Sequence, residues 1–233
     1  MVALFTRRFV PTPAARYHFP PTPLGRGMNY RLVVFDFDGT LADSMAATVA
    51  IFHAIGPGLG LKPFADLNAA RNMPTRKVLK AVGCTFWKLP KVIRAFQAAA
   101  AEHAPHLKLH PGVADGLNAL HARGARLGIL SSNKEANIRK CLAANGVEHL
   151  FAFVVGHPQL FGKARAIRKI RRREKVNRTD MVYVGDESRD LDAAKKARVG
   201  VAAVAWGFHS PEFLGGMNPT VMLQTPAEFA GLA

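Results

Sequence analysis

The stretch Leu32 to Ser44 reads LVVFDFDGTLADS, and it sets two carboxylates, Asp36 and Asp38, one phenylalanine apart at the end of an apolar run. Residues two apart on extended backbone face the same way, so both acids can reach one small volume. One carboxylate can attack phosphorus and form an aspartyl-phosphate. The other can protonate a leaving oxygen and later take a proton from water, a task that suits a pKa near the working pH; its like-charged neighbour pushes it upward. Such a pair is costly without a cation. Magnesium prefers oxygen ligands and often binds one or two carboxylates together with phosphate. A second acidic stretch, VGDESRD, offers Asp186, Glu187 and Asp190. Asp36 and Asp186 can serve a dication. The turn amides from Phe37 to Thr40, with Gly39 allowing close backbone approach, the Ser132 hydroxyl and the Lys163 ammonium can meet the oxygens of a transferring phosphoryl group.

These residues need a frame that gathers them from distant parts of the chain. Leu32–Phe35, 127–130, 151–155, 181–184 and 201–205 are short apolar runs, each separated from the next by helical spacing. Helices are expected at 41–55, 113–123, 134–145, 163–175 and 191–197. Alternating strands and amphipathic helices imply an α/β fold: a doubly wound, mostly parallel sheet covered on both faces. Ligands in such sheets sit beyond the carboxyl ends of the strands. Asp36, Ser131 with Ser132, Gly156 and Asp186 stand at those ends. Residues 61–108 change character, with helical apolar spacing, four prolines and no convincing strand. They read as a small all-helical cap inserted after the first strand and helix. The core is then discontinuous, 30–60 and 109–233. GPGLG at 56–60 is the expected hinge, and it lacks the lysine of a phosphate loop. Residues 1–29, with five prolines, read as a flexible N-terminal arm, or as sequence upstream of an initiating Met28.

DFDGT at 36–40, SSN at 131–133, Lys163 and VGDESRD at 184–190 resemble, in order and spacing, the four signatures of the haloacid dehalogenase-like hydrolases. Within that family the chain resembles the phosphoglycolate-phosphatase-like members, which carry a helical cap between the first two signatures. The resemblance implies a magnesium-dependent phosphatase. In it, Asp36 is the nucleophile and Asp38 the general acid and base. Ser132 holds the phosphoryl group and Lys163 neutralises it. Gly39, Thr40 and Asn133 complete the phosphate-binding set. The metal falls to Asp36, Asp186 and the backbone carbonyl of Asp38, and Asp190 supports the metal waters or the lysine. Two departures stand out: GKARAI lacks the usual proline after the lysine, and serine replaces the common threonine before Asn133.

The same residues admit plainer roles. Ser132 and Asp190 can cap helices, Lys163 can belong to a solvated charge run, and Glu187 and Arg189 can pair on the surface. Arg71 and Arg76 in the cap carry the right charge to grip an acidic leaving group such as glycolate. Trp206, Phe208 and His209 either line the pocket mouth or merely pack. The alternatives to a phosphatase are a catalytically silent binding or regulatory protein on this fold, and a metal-independent dehalogenase.

The resemblance implies a small phosphorylated metabolite as the partner, and composition bears on the alternatives. The formal charge is +16, and residues 163–178 hold nine Lys or Arg against one Glu. That run could track a nucleic-acid backbone, but no nucleic-acid module or interleaved aromatics accompany it. No apolar stretch is long enough to span a membrane. Two cysteines, Cys84 and Cys141, without a paired motif suit a reducing compartment such as the cytoplasm.

Overall fold

The computed structural model describes residues 29–156 and 162–233; the arm expected at 1–29 therefore lies outside the described residues up to position 28. Six parallel strands form one sheet in the order β3-β2-β1-β4-β5-β6. They are β1 (Leu32–Phe35), β2 (Arg126–Ser131), β3 (Phe151–Gly156), β4 (Met181–Gly185), β5 (Gly200–Val204) and β6 (Val221–Leu223). β1 is central: Val33 pairs with Leu127 on one side and with Val182 on the other. Its four side chains are all inaccessible to solvent, which is why the strand reads as an unbroken apolar run.

The two-residue period of the strand divides its side chains between two cores. Val33 and Phe35 join Leu117, Leu120, Ile138 and Phe229 on one face. There lie α5 (Val113–Ala122), α6 (Glu135–Ala144) and a 3₁₀ segment at Pro226–Leu232. Leu32 and Val34 join Ile167, Ile170 and Leu191 on the other face, beneath α7 (Lys163–Arg173) and α8 (Ser188–Ala197). The arginine run of α7 keeps only Lys163, Ile167 and Ile170 inward.

A helical layer stands over the carboxyl ends of the strands. It contains α1 (Met45–Ile55), α2 (Leu67–Arg71), α3 (Thr75–Ala81) and α4 (Leu89–His103), with its own small core of Leu61, Val82 and Cys84. Phe52 of α1 packs on that core and against Phe64, ring centroids 4.5 Å apart, so α1 belongs structurally with the layer. The chain enters and leaves the layer at neighbouring points. Ala42 and Leu109 form an antiparallel bridge, flanked by Asp43 N–H to Lys108 O at 2.9 Å and His110 N–H to Leu41 O at 2.9 Å. GPGLG lies inside the layer as a 3₁₀ turn closed by Gly60 with φ 63°, away from that junction.

α1 begins at Met45, four residues later than its apolar spacing suggests, because the Phe37 carbonyl takes the amides of Thr40, Leu41 and Ala42 in a tight turn. α8 begins at Ser188, three residues earlier than expected, because Asp190 Oδ2 accepts the Glu187 N–H at 3.1 Å and caps it. Neither β6 nor α9 (Pro211–Gly215) stands out in the sequence; both are short and set among Gly, Pro and Asn.

Candidate active site

β1 and β4 are adjacent in register, so the residues that follow them arrive side by side. Asp36 extends the ladder by one bond, its N–H meeting Val184 O at 2.8 Å. Asp186 follows β4 directly. Between them the chain turns at Gly39, with φ 75°. A Cβ at this position would lie 2.3 Å from Asp186 Oδ2, so only glycine lets the turn pass the carboxylate. Thr40 Oγ1 donates to Asp186 Oδ1 at 2.8 Å, and the Phe208 N–H donates to Oδ2 at 2.8 Å.

Lys163 enters from the first turn of α7, with its side chain 3% exposed. Its ammonium donates to Asp36 Oδ2 at 2.8 Å and to Asp190 Oδ1 at 2.5 Å. It also stands 5.3 Å from the ring centroid of Tyr183, whose hydroxyl is tied to Leu130 O. A solvated place in the charge run is thus excluded. Burial works against the ammonium, but Asp190 and Asp36 outweigh it and the lysine pKa is raised. Asp190 both caps α8 and holds the lysine. The helix cap and the contact with the lysine are one arrangement.

Oxygens of Asp36, Asp186 and Asp190 lie within 4.8 Å of one another, all buried. The crowding shows in their protonation. Burial, then the nearby carboxylates of Glu187, Asp190 and Asp36, push Asp186 well above the usual carboxylate range. Burial brings Asp190 up to about 6, Lys163 opposing and Asp36 adding. Asp38 is likewise pushed up to about 6, by burial and then by the Asp36 charge. Its Oδ2 accepts from Asn133 Nδ2 at 3.1 Å. A cluster of oxygen donors so reluctant to ionise together fits a hard dication such as magnesium, which supplies the missing positive charge.

β2 contributes the next loop. Ser131 Oγ accepts the Asn133 N–H at 3.2 Å, while Asn133 Oδ1 accepts from Lys134 N and Asn137 Nδ2. Asn133 is therefore a strut between this loop and Asp38. The Ser132 hydroxyl faces Arg189, whose Nη1 is 3.5 Å away.

Arg189 is the residue that sequence reasoning misplaced. It does pair with Glu187, at 2.7 Å, but beneath the helical layer rather than on the surface, with its side chain 10% exposed. Its Nη2 is 4.0 Å from Asp36 Oδ2, and its Nε is buried without a partner among the described residues. Against the upward pull of burial, Arg189 brings Glu187 down to about 2. The readable signal was the Glu187-x-x-Asp190 spacing, which starts α8 early enough to turn Arg189 inward.

The helical layer is fastened over these groups. Thr75 Oγ1 donates to Glu187 Oε2 at 3.0 Å, and Gln97 Nε2 donates to Ser132 O at 2.6 Å. His209 is fully buried; Ser188 N–H donates to its Nδ1 at 3.4 Å, and Nε2 meets Met73 O at 2.8 Å. Burial lowers its pKa, in keeping with a neutral ring that accepts at one nitrogen and donates at the other. The Trp206 indole donates to Thr40 O at 3.0 Å. Trp206 and His209 thus hold the loop after β5, and Phe208 lines the cavity between layer and sheet.

That cavity, of about 240 Å³, also touches Asp38, Gly39, Ser132 and Asp186. The two cap arginines stand elsewhere. Arg71 Nη2 meets Gly207 O at 3.3 Å. Arg76 lines a separate hollow of about 370 Å³ beside Lys163 and Arg189. Among the described residues no helix is long and apolar enough to cross a membrane, and both cysteines are free.

A profile described as haloacid dehalogenase-like hydrolase matches residues 33–204. A phosphoglycolate phosphatase of Synechococcus elongatus is 36% identical over 198 residues, covering 84% of this chain and 93% of its own. "Probable phosphatase IndB" of Dickeya dadantii is 31% identical over 217 residues, covering 87% of this chain and 93% of its own. Among solved structures, a haloacid dehalogenase-like family hydrolase of Streptococcus pneumoniae superposes with a TM-score of 0.71 at 21% identity, over 85% of this chain and 96% of its own.

Proposed function

The chain belongs to the haloacid dehalogenase-like hydrolases, and from that premise we propose that it hydrolyses a small-molecule phosphate monoester, with magnesium, through an aspartyl-phosphate on Asp36. One observation carries the reading: oxygens of Asp36, Asp186 and Asp190 lie within 4.8 Å of one another at the carboxyl edge of the sheet, and Lys163, from a third part of the chain, bonds Asp36 and Asp190.

The Asp36 carboxylate attacks phosphorus as the bond to the ester oxygen breaks. The leaving alkoxide takes its proton from Asp38, which burial and Asp36 hold protonated up to about pH 6. Water then attacks the phosphorus of the aspartyl-phosphate and gives its proton back to Asp38. Phosphate leaves and Asp36 is restored, so ester and water become alcohol and phosphate. Lys163 and Arg189 face the phosphoryl oxygens, joined by the Ser132 hydroxyl and the amides of the Gly39 turn. Asn133 orients Asp38. Asp190 and Tyr183 position Lys163. Asp36, Asp186 and the Asp38 carbonyl are the residues to hold magnesium, which when bound screens the charge of the phosphoryl group. The layer of residues 61–108, with α1, excludes bulk water above it.

The test is phosphate release, with and without magnesium, from a panel of metabolite phosphates. Phosphoglycolate heads the panel because of the Synechococcus relative's name; sugar phosphates, nucleotides and pyrophosphate complete it. Turnover that requires magnesium and vanishes in Asp36→Asn, with the fold intact, supports the proposal. Asp38→Asn slows turnover by about 100- to 10,000-fold, the usual weight of a general acid and base. Wild-type turnover in Asp36→Asn overturns it. A folded, metal-binding protein with no turnover favours the silent alternative.

A further inference from the structure

The cavity that opens onto the carboxylates has two unlike ends. Its charged lining, Asp38, Asp186, Glu187 and Arg189, lies wholly on the sheet side. Its opposite walls are apolar: Val49 and Phe52 from α1, Val78 and Leu79 from α3, Val92 and Phe96 from α4. Among the described residues no charged side chain of the helical layer lines it. The two arginines that charge alone would place there stand elsewhere, one on Gly207 O and one in the separate hollow.

We infer that the leaving group of the substrate is an uncharged, largely apolar alcohol held between α1, α3 and α4; this rests on the phosphatase reading and adds the substrate class to it. The phosphoryl end of the ester meets Lys163, Arg189 and the metal-ligating acids. The alkoxyl end points into the cavity. A carboxylate on that end, as in glycolate, would lose its water against valine and phenylalanine, since Arg189, the cation that lines the cavity, lies at the phosphoryl end. An alkyl chain instead gains from burial, and each methylene buried multiplies affinity about 4-fold. At about 240 Å³ the space exceeds what a two-carbon acid fills. An apolar void of that kind does not hold ordered water well, so an apolar guest has little to displace.

The hydroxyls on the helical side fit the same guest. Thr48 and Thr75 line the cavity, but Thr75 already donates to Glu187. Beyond the Thr48 hydroxyl and the Cys84 thiol, the helical walls therefore present little hydrogen bonding to a sugar or a base. The field of specificity lies in shape and apolar area.

The experiment compares kcat/KM, with magnesium, for ethyl, propyl, butyl and hexyl phosphate, phosphoglycolate and acetyl phosphate. The expected result is a rise of about 4-fold per methylene until the cavity is full. Propyl phosphate should exceed phosphoglycolate, its charged near-isostere, by about 10-fold or more. In Val92→Phe, which shortens the cavity, hexyl phosphate should lose more than ethyl phosphate does. A flat chain-length series, or a preference for phosphoglycolate over propyl phosphate, overturns the inference while leaving the hydrolase reading intact. If acetyl phosphate and every ester are inert, the hydrolase reading fails. The cavity is then judged by calorimetric titration of ethyl- to hexylphosphonate, which cannot be hydrolysed. Affinity that climbs with length and a more negative heat-capacity change support an apolar site; equal affinities overturn it.

Discussion

Lys163→Met removes one ammonium and keeps the length and much of the apolar volume of its side chain. In the folded chain that ammonium is the direct partner of two carboxylates, Asp36 at 2.8 Å and Asp190 at 2.5 Å, whose side chains are 2% and 0% exposed. Breaking a buried ion pair by deleting one partner costs about 3–5 kcal/mol, because the remaining charge stays buried. For a chain of this size each kcal/mol moves the melting temperature by about 2–4 °C, so a fall of roughly 6–20 °C is expected. The upper end is tempered because an orphaned carboxylate can take a proton. The assay is calorimetric or circular-dichroism melting at pH 7.5 without added metal. Lys163→Met with Asp190→Asn should melt above the temperature that the two single effects add up to, since the second change removes one of the two charges the first left without the ammonium. A drop below about 2 °C in Lys163→Met, less than 1 kcal/mol would produce, refutes the reasoning. It would mean that the ammonium is not buried between these acids in solution.

Other expectations follow from the same geometry. Gly39→Ala sets a methyl group 2.3 Å from Asp186 Oδ2 on backbone with φ 75°; magnesium affinity by titration calorimetry should fall about 10- to 100-fold, as for other changes that shift a ligand's support. Arg189→Met should lower kcat/KM for any monoester by about 100- to 1,000-fold, in the range of losing one preorganised donor to the transition state, and Arg189→Lys should recover only part. Asp38 and Asp190 titrate near 6 in the folded chain, against about 4 when unfolded. The folded state then binds more protons between those values, so without metal the melting temperature should fall as pH rises from 4 through 6. Magnesium, which needs ionised ligands, should raise it more at pH 7.5 than at pH 5.

The strands were legible because each is a short apolar run that ends on a polar residue, and the sheet is buried on both faces. The carboxylates followed from that edge. Lys163 was the hardest of the site residues to tell from its neighbours: nine cations crowd residues 163–178, and only the turn of α7 singles out the one that faces inward. Arg189 was obscured by a boundary error of three residues at α8, enough to turn a side chain from the surface to the site. The surroundings of the cap arginines were hidden for another reason. Charge is visible in a sequence, but the face a short helix shows to a cavity depends on contacts such as Arg71 with Gly207, 136 residues away. The late start of α1 has the same origin, since the turn that delays it is braced by the bridge from Ala42 to Leu109.

That bridge has a wider consequence. The chain departs from the sheet and returns to it through two residues already paired with each other, so residues 43–108 are joined covalently at one place, while Thr75, Gln97, Met73 and Arg71 tie them down by hydrogen bonds. A segment with adjoining ends can be lengthened, shortened or exchanged without disturbing a single rung of the ladder. Grafting the corresponding stretch from a relative onto this chain at Ala42 and Leu109 then transplants selectivity with the reacting acids left on the host, provided the graft keeps partners for Glu187 and the Ser132 carbonyl.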